Sequence, residues 1–428
     1  MKVSKLEKVD LNLYSETLSN GLEVYIIPKD NVNGIDVTLT TKYGSACYEF
    51  VPNGSKKMIK VPLGVAHFLE HKMFEQADGV DPFSFYSERG CDANASTSYN
   101  KTTYFFDGTN AFNDNLNFLL DYVQSPYFTD ENVKKEKGII EQELKMYQDN
   151  PYNRTYEGVI FNLMQKHPIK YPIGGTIESV RSITKEDLYA CYNTFYHPSN
   201  MMLVIVGNVE PVETLYTIKA NQDRKKFDKP KAIKVKEYDE PNEVFKKQEK
   251  VKMNVEIPKL GIGYKIDCSC FKENIQYIRN WIDIIFKEKL GNTSLLYEKL
   301  KKENLITSGI DVSTLATNKH VLVVILVETK EQNKVLRLIE EELKDLSIDE
   351  DALSRKRKVI KSTCIYRSDN IYALNSKIVN NMLNFGEVIL DEYKKTDEFN
   401  LKNSKKIIPK IKLDNKTVYY INKSWFIK

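Results

Sequence analysis

No stretch of this 428-residue chain is apolar for long enough to span a bilayer; the run VLVVILV at 321–327 has only the length of a strand. The opening segment, MKVSKLEKVDLNLYSETLSNG, carries charges every few positions and lacks the apolar core of a secretory leader. Together these absences predict a cytoplasmic protein with no membrane span. An excess of one charge sign is also missing. The 63 Lys and Arg against 59 Asp and Glu leave a net charge of +4, too little in a chain of this size to argue for nucleic-acid binding. Cysteine is sparse. Of Cys47, Cys91, Cys191, Cys268, Cys270 and Cys364, the only close pair is C-S-C, a spacing that suits neither a zinc finger nor a thioredoxin site. Free, mostly buried thiols are expected in a reducing compartment. There is no complete G-x-G-x-x-G or P-loop and no low-complexity segment.

What remains is an ordinary globular composition, 41% hydrophobic and 29% charged, in a chain too long for one core. Two domains are the expectation: 1–220, a charged linker over 221–245 where Lys, Asp, Glu and Pro dominate, and 246–428. In the first part LEVYIIP follows an Asn-Gly turn signal and reads as a strand. The alternation in IDVTLTTKYG predicts a half-buried strand, and MMLVIVGNV a fully buried one. NASTSYNKTTYFFDG reads as one or two β segments. Helical periodicity marks VPLGVAHFLEHKMFEQ, NLNFLLDYV, ENVKKEKGIIEQELKMYQ after Thr129-Asp130, and SITKEDLYACYNTFY with its Thr-x-x-Asp opening. The second part restarts with GIGYKIDCSC and the helix NIQYIRNWIDIIFKEKLG, repeating the order of elements without clear residue identity.

The chemistry sits in His67-Phe-Leu-Glu70-His71. Two histidines four apart share one helix face within reach of a single ion, and the intervening glutamate can stay off the metal yet touch its water. That is the inverted zinc-peptidase pattern. Two surface histidines on an ordinary helix are the alternative, and the apolar residues around them argue against it. A third ligand is needed. His167 and His197 each precede a proline, a loop context, and His320 lies far along the chain. On the helix ENVKKEKGIIEQELKMYQ, Glu136 and Glu143 are seven apart and share a face, whereas Glu141 points elsewhere; periodicity does not choose between Glu136 and Glu143.

HFLEH, followed about seventy residues later by EKGIIEQE, resembles the M16 peptidase family. LSNGLEVYIIP, GCDANASTSYNKTTYFF and KYPIGGTIESVRSITKEDLYACYNTFYHPSNMMLVIVGNV carry the likeness across most of the first half, and the chain length is most similar to the bacterial M16B-type subgroup. The resemblance implies an α+β fold of two related halves, each an antiparallel sheet with helices packed on one face, arranged as a clamshell. It implies one Zn²⁺ per chain, with His67, His71 and Glu143 as ligands, Glu70 as general base and Glu136 as an outer carboxylate supporting the site. It assigns Asn94 and Ala95 to an edge strand that takes substrate backbone. WIDIIFKEKL fills the comparable helix of the second half, so that half has no metal motif. The family's Arg and Tyr that grip the substrate carbonyl have no convincing match; Tyr366, Arg367 and Tyr372 are the candidates. A partner subunit of the same family, a second copy or a metal-free homologue, is therefore expected. The implied activity is an endopeptidase acting on unfolded peptides or leader segments. A non-catalytic peptide-binding or assembly subunit is the alternative, and the intact His67, Glu70, His71 and Glu143 set weighs against it.

Overall fold

The computed structural model describes residues 1–424; the last four positions of the expected domain 246–428 lie outside the described residues. The chain divides into two compact units, each assembled from three segments. The first comprises Met1–Leu144, Pro172–Glu237 and Ser362–Lys394, and the second Lys145–Tyr171, Tyr238–Lys361 and the segment from Lys395 on.

The first unit holds strands β1 (Lys2–Leu6), β2 (Leu11–Thr17), β3 (Glu23–Pro28), β4 (Ile35–Thr41), the short β5 (Glu49–Val51) and β6 (Ile59–Lys60), β7 (Asp92–Thr97), β8 (Thr102–Gly108), β9 (Met201–Gly207) and the short β10 (Lys234–Val235). Its main sheet has the order β1-β2-β3-β9-β4-β8-β7. The second unit holds β11 (Gln248–Met253), β12 (Lys259–Asp267), β13 (Asp311–Ala316), β14 (His320–Glu328) and β15 (Lys416–Lys423), in the order β11-β15-β12-β14-β13. The orders β3-β9-β4-β8-β7 and β11-β15-β12-β14-β13 are the same. In each, the first pair is parallel and the other three are antiparallel. The expected α+β class with two related halves therefore holds, with one parallel pair per sheet in addition.

The domain boundaries differ from the expected 1–220, 221–245 and 246–428, because the central strands of each sheet are buried on both faces. β4 alternates in sequence, yet all its residues except Thr38 are buried. The cover is the helix Ile371–Phe385, whose Leu374, Ile378, Val379 and Met382 pack on Leu13, Ile27, Met202, Val204 and Val206. Asn375 on that helix accepts from the Thr38 hydroxyl at 2.7 Å and donates to the Asp36 and Val204 carbonyls at 3.2 and 3.1 Å. In the second unit the helix Pro151–Leu163 lies close against β12, where a Cβ on either Gly261 or Gly263 would stand 2.6 Å from Val159. Each of these helices falls within the sequence range first assigned to the other half.

The expected linker is also built in. Lys234 and Val235 pair with Val51 and Phe50. Glu240, buried, accepts from the backbone N–H groups of Gln165, Lys166 and His167 at 2.8, 2.7 and 2.7 Å and from Lys265 at 2.5 Å. Four backbone or ammonium donors fix a carboxylate that a free linker would leave in water. No helix among the described residues is long and apolar enough to cross a membrane.

Candidate metal centre

The helix Val65–Lys72 carries His67, Glu70 and His71. Val65, Phe68, Leu69 and Met73 are all buried, so the apolar spacing anchors one face of the helix and turns the two histidines the other way. Its start is fixed by backbone rather than by a side-chain cap. Gly64 adopts φ +84°, and a Cβ there would lie 2.2 Å from the Gly174 carbonyl oxygen. Only glycine tolerates that φ and that approach.

The facing helix, Asp130–Asp149, is opened by a reciprocal cap. Thr129 Oγ1 accepts from Asn132 N at 3.1 Å, and Asn132 Oδ1 accepts from Thr129 N at 2.9 Å. Glu136 and Glu143 share the face toward the histidines, while Glu141 is turned away and held by Arg181 at 2.8 and 2.9 Å. The geometry separates the two carboxylates that periodicity left equal. Glu143 stands 3.7 Å from His67 Nε2 and 3.5 Å from His71 Nε2, one oxygen toward each ring. Glu136 instead lies 3.0 Å from His71 Nδ1, the far nitrogen. Among the described residues His67, His71 and Glu143 form the one group of three whose donor atoms lie within 4.8 Å of one another.

Those separations fit a metal. Zinc bonds of about 2.1 Å in a tetrahedron place donors about 3.4 Å apart. Atoms 3.5 and 3.7 Å apart are too far for good hydrogen bonds yet face one another in a half-buried site. Two imidazoles and a carboxylate are a zinc-type donor set, and three donors leave a four-coordinate ion one open position.

Burial, and then the neighbouring His71 charge, depress the His67 pKa to about 4, so its imidazole is neutral as a ligand must be. At His71 burial opposes protonation, but the hydrogen bond to Glu136 and the charges of Glu136, Glu143 and Glu70 together raise its pKa. Burial likewise opposes ionisation of Glu136, yet the hydrogen bond and charge of His71, with Lys72 and Lys135, lower it. Burial raises the Glu70 carboxyl against the Thr97 hydrogen bond and the His71 charge, with Glu143 adding to the rise.

Asn94 and Ala95 lie on β7, the edge strand of the first sheet. Asn94 Oδ1 accepts the Ala95 N–H at 2.8 Å, so that backbone donor already has an intramolecular partner. A pocket of about 480 Å³ opens beside Glu70, His71, Phe74, Phe83 and Asn94. Four contributors were missed in the sequence. Thr97, on β7, donates its hydroxyl to Glu70 Oε2. Lys72 is wholly buried beside Glu136. Gly174 and Gly175 pack on the start of the histidine helix, and a Cβ on Gly174 would stand 3.6 Å from His67 Nδ1. Strand alternation places Thr97 on the face of Ala95, the one signal that was available; the others depend on long-range packing.

The remaining candidates are elsewhere. His167 and His197 accept from Ile169 N and Ser199 N, each at 3.2 Å, and cap short turns. His320 bonds Asn242 at 2.8 Å. Tyr366 is exposed, Arg367 pairs with Glu392 at 3.1 Å, and Tyr372 donates to Asp107 at 2.9 Å, so none of the three touches the metal group.

Residues 40–177 match the family model described as Insulinase (Peptidase family M16), and residues 182–359 match Peptidase M16 inactive domain. The protein named "Uncharacterized zinc protease YmfH" of Bacillus subtilis (strain 168) is 44% identical over 308 residues, 72% of each chain. Mitochondrial-processing peptidase subunit beta of Caenorhabditis elegans is 27% identical over 197 residues, 45% of this chain and 41% of that one. A crystal structure of a protein described as an M16-like peptidase from Alicyclobacillus acidocaldarius superposes with a TM-score of 0.92 at 32% identity, covering 98% of this chain and 100% of that one.

Proposed function

This chain belongs to the M16 peptidase family, and we propose from that premise that it is a zinc-dependent endopeptidase acting on extended peptides, with Glu70 as general base. The carrying observation is the set of nitrogen and carboxylate atoms of His67, His71 and Glu143, held at metal spacing. Zinc supplies Lewis acidity and makes the attacking water more acidic. Every other part of the task falls to the chain. Glu70, buried and raised in pKa, takes the water proton and returns it to the leaving amine. Thr97 holds one Glu70 oxygen and so fixes the carboxylate's direction. Glu136 keeps a proton on His71 Nδ1 and leaves Nε2 its lone pair.

Substrate backbone adds to the open side of β7, displacing the Asn94 side chain from the Ala95 N–H. Main-chain pairing of this kind accepts many sequences, which suits unfolded peptides or leader segments. Because Arg367 and Tyr372 are engaged elsewhere, the groups that grip the scissile carbonyl come from a second M16-like subunit or a second copy. The name of the mitochondrial relative describes it as one subunit of a peptidase.

The test is a set of variants in the full chain, assayed for zinc content and peptide cleavage. Glu70→Gln should keep its zinc and lose about a hundredfold or more in turnover. His71→Ala and Glu143→Gln should lose the zinc itself. Full turnover by Glu70→Gln would remove Glu70 from the base role. Full zinc in the other two would refute the ligand set and favour a peptide-binding subunit.

A further inference from the structure

Lys72 ends the helix that carries the histidines, and the residue is 0% exposed. Burying an ammonium costs several kcal/mol unless it is paired. Its Nζ contacts Glu75 Oε2 and stands 3.8 Å from Glu136 Oε2. The other oxygen of Glu136 lies 3.0 Å from His71 Nδ1, and His71 Nε2 faces Glu143 across 3.5 Å. An unbroken line therefore runs from ammonium to carboxylate to imidazole to the metal position.

Stability alone gives no reason for a lysine here. An apolar side chain of similar length would fill the space without desolvating a charge, and such replacements of buried ion pairs are often neutral or stabilising. What lysine contributes is a positive charge on the side of Glu136 away from the ring. An anionic Glu136 can only accept from His71 Nδ1–H, which fixes the tautomer whose Nε2 carries a free pair.

We propose that Lys72 is a positioning residue for the metal, holding Glu136 in the place from which it makes His71 present Nε2 to zinc. This rests on the reading of the site as a zinc centre.

The experiment is a double-mutant cycle on the full chain, with zinc dissociation constants measured by chelator competition for wild type, Lys72→Met, Glu136→Gln and the double variant. Thermal midpoints of the zinc-free proteins verify that each is folded. Lys72→Met is expected to weaken zinc binding about tenfold in the wild-type background. In the Glu136→Gln background it should change affinity by less than about twofold, because the residue it acts through is gone. Should Lys72→Met not fold, Lys72→Gln takes its place with the same expectations. Unchanged affinity in the wild-type background overturns the proposal, and so does an equal loss in both backgrounds, which is how a purely structural residue behaves. Failure of the wild type itself to bind zinc would instead overturn the metal-centre reading beneath it.

Discussion

At the scale of single residues, the first unit buries more charge than its sequence pattern advertises. Asp36 on β4 is 3% exposed and lies directly across from Asp107 on β8. Burial, and then the Asp107 charge, push its carboxyl up to about 7 from 3.8, with the Asn375 hydrogen bond pulling the other way. The folded state therefore binds this proton more tightly than the unfolded chain does. Its stabilising effect is complete below about pH 4 and is lost as pH rises toward 7. Asp36→Asn should flatten that slope. Compared with wild type by urea denaturation, the variant should gain up to about 4 kcal/mol between pH 4 and pH 8. A gain that does not depend on pH would show that Asp36 is charged in the fold. The cause of this burial was not legible locally. IDVTLTT alternates as a solvent-facing strand does, and Asn375, more than three hundred residues away, meets its polar face at Asp36 and Thr38. The HFLEH pair and the two glutamates seven apart were legible, because helical geometry alone aligns them. Thr97, Lys72 and the Gly174–Gly175 pair were not, because their roles arise where separate elements meet.

Among the elements, the helix Val65–Lys72 is only eight residues long and has no side-chain cap, so its direction depends on what presses on its first turn. Backbone does this. Gly64 at φ +84° stands against the Gly174 carbonyl, and Gly175 at φ +77° against the Leu63 carbonyl. Gly64→Ala should cost about 2 kcal/mol or more, from the left-handed conformation and the 2.2 Å approach together. It should also weaken zinc binding, since the histidines follow within one turn. Denaturant melts with and without zinc check both effects; a variant as stable as wild type would mean that the loop is free to move aside. The long helix Asp130–Asp149 was easier to read in the sequence, because its Thr129 cap and its length announce it without reference to any neighbour.

For the molecule as a whole, the mixture of strands and helices was readable from their patterns and the two-half α+β class from the family resemblance, whereas the allocation of segments to units was not. The run MMLVIV already read as a buried strand and VLVVILV as a strand, and both are buried along their length. They did not say which helix would supply the second cover. In the second unit that cover needs bare backbone beneath it: Gly261→Val should unseat the helix Pro151–Leu163 and destabilise the protein by about 1–3 kcal/mol, measured by denaturant unfolding. An unaffected midpoint would mean that the helix and β12 are not held as closely as 2.6 Å implies. The first unit has the converse dependence, because its sheet is finished by Ser362–Lys394. During synthesis the histidines, both glutamates and every strand of that sheet leave the ribosome long before the helix that closes it. The unit that carries the histidines therefore remains open on one face until residues 362–394 have been translated, and a nascent chain that stops before them cannot complete it.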